Sequence, residues 1–196
     1  MKLRILSAKD VRLALPMAAT IAAMKTAFQQ FSSNEATVPL RSRVEVKSAN
    51  GVALFMPAHL PPHLNGGSEA PDGTLAVKAV SVFGNNPSRG LPLIHAIVLV
   101  LDASTGQPLA LMEGGALTAI RTGAGSGVAT DLLARSDVRT VAILGSGVQS
   151  CTQLEAVCTI RTIERVYVFS PNPAHAQEFA SKMAGHGPIP SDVRVA

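Results

Sequence analysis

Apolar and polar positions change period several times along this chain, and each change marks an element. Met17, Ile21, Met24, Phe28 and Phe31 recur at alternating spacings of four and three, one apolar stripe on a helix running from Pro16 to Phe31. Pro16 falls in its first turn, where a missing N–H is tolerated. Upstream, Ser7-Ala-Lys-Asp10 reads as a capping box opening a short helix, with Asp in place of the usual Glu or Gln. Strand-like segments follow at Leu40–Lys47, Val52–Met56 and Thr74–Val82, and the Pro- and Gly-rich stretch Pro57–Gly73 reads as a mobile loop. Ile94–Leu101 is a β-branched strand, Asp102–Gly106 a turn, and Pro108–Met112 a shorter strand. A helix from Ala116 to Ala134 carries Leu117, Ile120, Ala124, Val128 and Leu132 on one face. The strand Thr140–Leu144, the helix Val148–Thr159, the strand Val166–Phe169 and the helix Ala174–Ala184 complete the pattern.

This order predicts an α/β protein in two domains. Residues 1–115 read as an α+β unit, and residues 116–196 as the first half of a Rossmann-type, doubly wound parallel sheet. Such a nucleotide domain is built from two βαβαβ halves, and the sequence ends at Ala196 before a second half could form.

Composition narrows the class further. With 47% hydrophobic and 15% charged residues there is material for a core and no mark of disorder. The net charge of +4 is carried by scattered Lys and Arg, with one Tyr and no Trp, so a nucleic-acid surface is not expected and anionic small molecules suit it better. No stretch reaches the ~20 apolar residues of a membrane span. Cys151 and Cys158 lie about two turns apart on one predicted helix, too far for a disulfide. A reduced, cytoplasmic setting fits.

The candidate chemistry centres on Gly145-Ser146-Gly147, which follows an apolar strand and opens a helix, with Ser150 where a third glycine or alanine belongs. Gly145 permits the tight turn, Gly147 lets the backbone approach a pyrophosphate, and the helix start at Val148 offers amide donors. The same letters at Gly125-Ser-Gly-Val128 lie inside a helical pattern with no strand before them, so they are not the phosphate loop. Three helical glycines there, Gly123, Gly125 and Gly127, imply close approach of another backbone or a ligand, packing being the preferred reading. At the end of the next strand, Ser170 stands where an Asp or Glu would hold the ribose of NAD. Without a carboxylate to repel a 2′-phosphate, the site leans toward NADP.

Lys78, in the alternating run Leu75–Val80, reads either as a snorkelling residue or as a partly desolvated ammonium donating to a carboxylate or an imine nitrogen. Arg41 and Arg43 flank Ser42 and share a strand face. Arg121, near a helix start, opposes the macrodipole and would be justified by an anionic partner. His59, His63 and His95 lack helical spacing and a carboxylate cluster, so no metal site is expected.

Taken together, several segments resemble the ornithine cyclodeaminase/mu-crystallin family: Val38-Pro-Leu-Arg41, Phe55-Met-Pro-Ala58, Lys78, Gly90-Leu-Pro92, Asp102-Ala-Ser-Thr-Gly106, Leu111-Met-Glu-Gly114, Leu117-Thr-Ala-Ile-Arg-Thr122 and Gly145-Ser-Gly-Val-Gln-Ser150. The resemblance implies an NAD- or NADP-dependent enzyme acting on a small amino acid or cyclic imino acid by hydride transfer at Cα. It also implies a homodimer formed through the N-terminal sheet. In this reading Arg121 and either Arg41 or Arg43 would clamp the substrate carboxylate, and Lys78 would be catalytic, meeting the reacting nitrogen. Thr122, Gly145, Ser146, Gly147, Val148, Gln149, Ser150 and Ser170 would line the cofactor. Leu54 replaces the Glu of cyclodeaminases proper, and Leu93 a small hydroxyl residue, which points away from ornithine toward imino acid reduction or amino acid dehydrogenation. The family's catalytic Asp and the rest of its nucleotide sheet would lie beyond Ala196, so the chain reads as a fragment, weakly active or inactive alone. The alternatives are a non-enzymatic cofactor or ligand binder of the mu-crystallin type and an inactive remnant.

Overall fold

The long alternating and β-branched segments pair with one another. In the computed structural model, which describes residues 2–62 and 73–196, strands β2 (Ser42–Val46), β3 (Gly51–Leu60), β4 (Thr74–Phe83), β5 (Ile94–Leu101) and β6 (Pro108–Glu113) form an antiparallel meander. A short strand β1 (Arg4–Leu6) adds in parallel beside β6, giving the order β1-β6-β5-β4-β3-β2. Helices α1 (Ala8–Ala14) and α2 (Met17–Ser32) lie between β1 and β2 in the chain. After β6 come α3 (Gly114–Leu133), β7 (Thr140–Leu144), α4 (Val148–Ile160), β8 (Arg165–Phe169), α5 (Pro173–Met183) and β9 (Val193–Val195). The last three strands form a parallel sheet in the order β7-β8-β9. The α/β class is as the sequence pattern predicts.

The chain divides into two compact units, Met1–Ala14 with Thr26–Leu117 and Leu15–Lys25 with Thr118–Ala196. The divisions fall at the end of α1, inside α2 and near the start of α3. In the second unit the core gathers under the parallel sheet: Ile143, Leu154, Val166, Val168, Phe179, Met183 and Ile189 pack together. Burying such branched and aromatic side chains contributes roughly 1.5–3 kcal/mol each.

Local chemistry explains most boundaries. The capping box forms reciprocally: the Ser7 amide donates to Asp10 Oδ2 at 2.9 Å, and the Asp10 amide to Ser7 Oγ at 3.3 Å. Hydrogen bonds from Ser7 hold the Asp10 carboxyl below the usual carboxylate range. The Asp102 carboxylate turns the chain between β5 and β6 by accepting from the Ser104 and Thr105 amides, with Gly106 at φ +72°.

Three expectations are corrected. The strand expected to stop at Met56 continues through Pro57 to Leu60, all of it paired to β4. The His59 amide donates to Thr37 O on the β2 side. Pro57, two residues earlier, aims its nitrogen the same way, past the end of β2, where no donor is required. Residues 63–72 of the expected loop, His63 among them, lie outside the described residues. The α2 stripe is only half covered: Met17 and Ile21 are buried, whereas Phe28 and Phe31 are 48% and 57% exposed. On α3, Ile120, Ala124 and Val128 are buried but Leu132 is exposed, one turn beyond the packed stretch.

Candidate functional site

Within the first unit, strand register puts the basic candidates on one sheet face. Met56, Lys78, Val98 and Met112 form one cross-strand row, and Arg43, Leu54, Val80 and Ala96 the next, two residues along β4. Directly opposed residues share a face, so Lys78 and Arg43 project to the same side. With strands ~4.8 Å apart and a rise of ~3.4 Å per residue, their backbones are roughly 12 Å apart, a span that two long side chains can close around one small anion. Lys78 is half-buried among apolar neighbours: Leu54, Met56, Val80 and Val98 carry no charge. Arg43 pairs with Glu45 at 2.9 Å on the rim of an open groove of about 470 Å³. Arg41 stands exposed just before β2.

The other face of this sheet has a different character. Phe55, Ala79 and Ile97 make one row and Val44, Ala53, Ser81 and His95 the next. Val44, Phe55 and Ile97 are 52%, 42% and 50% exposed, and a shallow groove of about 300 Å³ runs between Phe55 and His95.

The second unit carries the glycine loop. β7 ends at Leu144, and Gly145 turns the chain at φ +109°, a conformation that L side chains rarely adopt. Its amide donates to Phe169 O at 2.8 Å, joining the ends of β7 and β8. Gly147 begins α4 without a side-chain cap, and a Cβ placed on it would meet nothing within 4 Å. No neighbour inside the protein requires a glycine there, and its φ of −80° is open to any residue. The open space above it and the free amides of the first helical turn, at Val148 and Gln149, make a cradle of the kind that phosphates occupy. Ser146 Oγ donates to Ser170 Oγ at 3.1 Å, so a hydroxyl pair occupies the place beside the strand ends where a ribose-binding carboxylate would stand. Ser150 is half-buried close to Gly145, in keeping with the small residue that the loop needs. The cradle suits a phosphate group: Gly147 would leave it room and the α4 amides would donate to it.

Arg121 and Thr122 lie on α3 in the same unit, Arg121 exposed and Thr122 donating to Thr118 O at 2.6 Å. Because α3 starts at Gly114, Arg121 sits two turns in, and the macrodipole argument for an anionic partner lapses, since that effect is confined to the first turn. Two of the three α3 glycines, Gly123 and Gly127, are explained by packing. A Cβ at Gly123 would lie 2.6 Å from the Thr152 carbonyl carbon, and one at Gly127 2.7 Å from Ile21 Cδ1. Sequence reasoning missed Glu113, whose carboxylate accepts from the Gly115 and Ala116 amides at 2.6 and 2.7 Å and so starts α3 directly from β6. Cys158 is buried and its thiol pushed up to about 11, unsuited to nucleophilic work. Among the described residues no group of His, Cys, Asp or Glu gathers into a metal site, and no single helix is long and apolar enough to cross a membrane.

Comparison with known proteins adds relatives to this geometry. The pattern of the ornithine cyclodeaminase/mu-crystallin family matches residues 1–194. A Delta(1)-pyrroline-2-carboxylate reductase of Bacillus cereus is 38% identical over 176 residues, 90% of this chain and 51% of that protein. The Thermococcus litoralis Delta(1)-pyrroline-2-carboxylate reductase, solved in complex with NADH and L-proline, superposes with a TM-score of 0.83 at 41% identity, over 98% of this chain and 56% of that one. An archaeal alanine dehydrogenase dimer with bound NAD superposes at 0.85 with 28% identity, over 100% of this chain and 56% of that one. The chain thus spans about half the length of the relatives it matches. With the strand order, the glycine loop and the family pattern all in agreement, the chain belongs to the ornithine cyclodeaminase/mu-crystallin family.

Proposed function

We propose that this chain serves the NAD(P)-dependent reduction of a cyclic imino acid, with oxidation of a small amino acid as the reverse chemistry. The observation that carries this reading is the single sheet face on which Lys78 and Arg43 stand among Leu54, Met56, Val80 and Val98. A ring of carbon atoms bearing one carboxylate and one imine nitrogen matches that surface, whereas a distal ammonium would find no carboxylate in the Leu54 row. The relatives named as pyrroline-2-carboxylate reductases support the same substrate class.

In this proposal the Gly145–Gly147 loop and the α4 amides would hold the pyrophosphate of a nicotinamide dinucleotide, which when bound would supply hydride chemistry at the substrate Cα. The remaining work belongs to the chain. Arg121 with Arg41 or Arg43 neutralises and orients the carboxylate; Arg43 shares the Lys78 face, and its solvent-exposed pairing with Glu45 is weak enough to yield to a substrate carboxylate. Lys78 gives a hydrogen bond or proton to the nitrogen as its electron density rises. Thr122, Ser146, Val148, Gln149, Ser150 and Ser170 line the cofactor, and the hydroxyl pair at Ser146 and Ser170 leaves NADP acceptable beside NAD. The exposed apolar face carrying Val44, Phe55 and Ile97 is covered by a second copy in a cytoplasmic homodimer, in line with the dimeric archaeal neighbour.

The test is turnover of Δ1-pyrroline-2-carboxylate with NADH or NADPH, by the wild type and by Lys78→Met. The proposal expects wild-type oxidation of the cofactor and a loss of ~10²-fold or more in Lys78→Met, with cofactor affinity within about two-fold of wild type. Cofactor binding with no turnover in the wild type would instead mark a binding protein.

A further inference from the structure

Helices α3 and α4 touch at points that advance together. Gly123 lies against Thr152, and four residues on along both helices Gly127 lies against Ala156. The helices are therefore parallel, and extending the register back puts Arg121 level with Ser150, at the end of the glycine loop. Near that end one side chain joins them. The Thr152 hydroxyl donates to Ala119 O on α3 at 2.8 Å, and more weakly to Gln149 O of its own helix at 3.2 Å. A helical threonine ordinarily satisfies its hydroxyl on its own preceding turn; here the shorter bond crosses to the neighbour. Gly123 makes the crossing possible, since a side chain there would strike the Thr152 backbone. At the far end Arg161, its side chain 12% exposed, donates to Thr130 O, Asp131 O, Ala134 O and Arg135 O.

We propose that Thr152 is a positioning residue that fixes the Arg121–Thr122 turn of α3 against the glycine loop, so that the carboxylate clamp sits at a set height beside the cofactor. The inference rests on the reading of the loop as a nicotinamide nucleotide site and of Arg121 as a clamp. Thr152 itself touches neither ligand. Its hydroxyl holds the Ala119 carbonyl, two residues before Arg121, and losing that bond frees the turn carrying the guanidinium while the loop amides stay where the strand–helix junction puts them.

The experiment compares the wild type, Thr152→Val and Thr152→Ser by calorimetry, with NADH alone and then with L-proline added to the NADH-saturated protein. Arg161→Met, which loosens the distant end, is the control for a merely structural effect. The expected result is NADH affinity within about two-fold of wild type in Thr152→Val and L-proline affinity weaker by about three- to ten-fold, as loss of one hydrogen bond implies. Thr152→Ser restores it, and Arg161→Met lowers the melting temperature without changing the ratio of the two affinities. Wild-type L-proline affinity in Thr152→Val, or an equal loss of both ligands, overturns the proposal alone. Absence of NADH binding by the wild type overturns the functional reading and this inference together.

Discussion

Gly123 and Gly147 are one residue type under opposite demands. At Gly123 the neighbouring helix fills the space that a side chain would need, whereas at Gly147 that space is open. Gly123→Ala is therefore expected to lower stability by about 1–3 kcal/mol through overpacking, measured by urea unfolding. Gly147→Val is expected to leave the unfolding midpoint within experimental scatter and to weaken NADH binding by ~10-fold or more, because the branched side chain would stand where the pyrophosphate approaches. Equal effects of the two substitutions on stability would contradict the assignment. At this scale the sequence was legible where a residue acts through its own backbone or its nearest turn. The Ser7–Asp10 box, the Asp102 turn and Gly145 all follow from local rules. Arg121 was less legible, since its distance from the helix start depends on Glu113 capping the helix two residues earlier than the apolar pattern suggested.

At the scale of elements, periodic segments declared themselves and short ones did not. Strands Ile94–Leu101 and Thr140–Leu144 fall where alternation and β-branching put them. β1 and β9 have three residues each and exist because a neighbour pairs with them, which no local pattern reports. β9 is pinned by a carboxylate: Asp192 accepts from Arg194 Nε at 2.6 Å and from Arg165 Nε at 2.8 Å. These bonds, Arg194 first, hold the Asp192 carboxyl at about 2, below the ordinary ~3.9. A depressed folded-state value means that the contribution is complete above the unfolded value and fades as pH falls from ~4 through about 2. Protection of the Ala196 amide, which donates to Val168 O, against hydrogen exchange should fall across that window relative to the intrinsic rate at each pH. Asp192→Asn should exchange fast already at neutral pH; an unchanged rate in that variant would remove Asp192 from the account.

For the molecule as a whole, the family was legible from motifs spread over the whole chain, and the abrupt change of period from meander to βαβ is what suggested two domains. What covers the Val44–Phe55–Ile97 face was not, because an exposed apolar surface is visible only once the register is known. The proposed dimer predicts that Phe55→Glu shifts the chain to a smaller species on gel filtration, whereas Leu132→Glu, an exposed site on α3, leaves the elution position alone. β7 bonds to β8 alone among the described strands, and open edges of this kind favour self-association; a wild-type chain that elutes only as large aggregates would contradict the dimer. Calorimetric titration of the wild type and Gly147→Val with NADH and NADPH tests whether the Gly145–Gly147 loop holds a nicotinamide dinucleotide, as proposed. Saturable binding of at least one cofactor by the wild type, weakened by ~10-fold or more in the variant, is the predicted result; no binding by the wild type, or equal binding by both proteins, would contradict it.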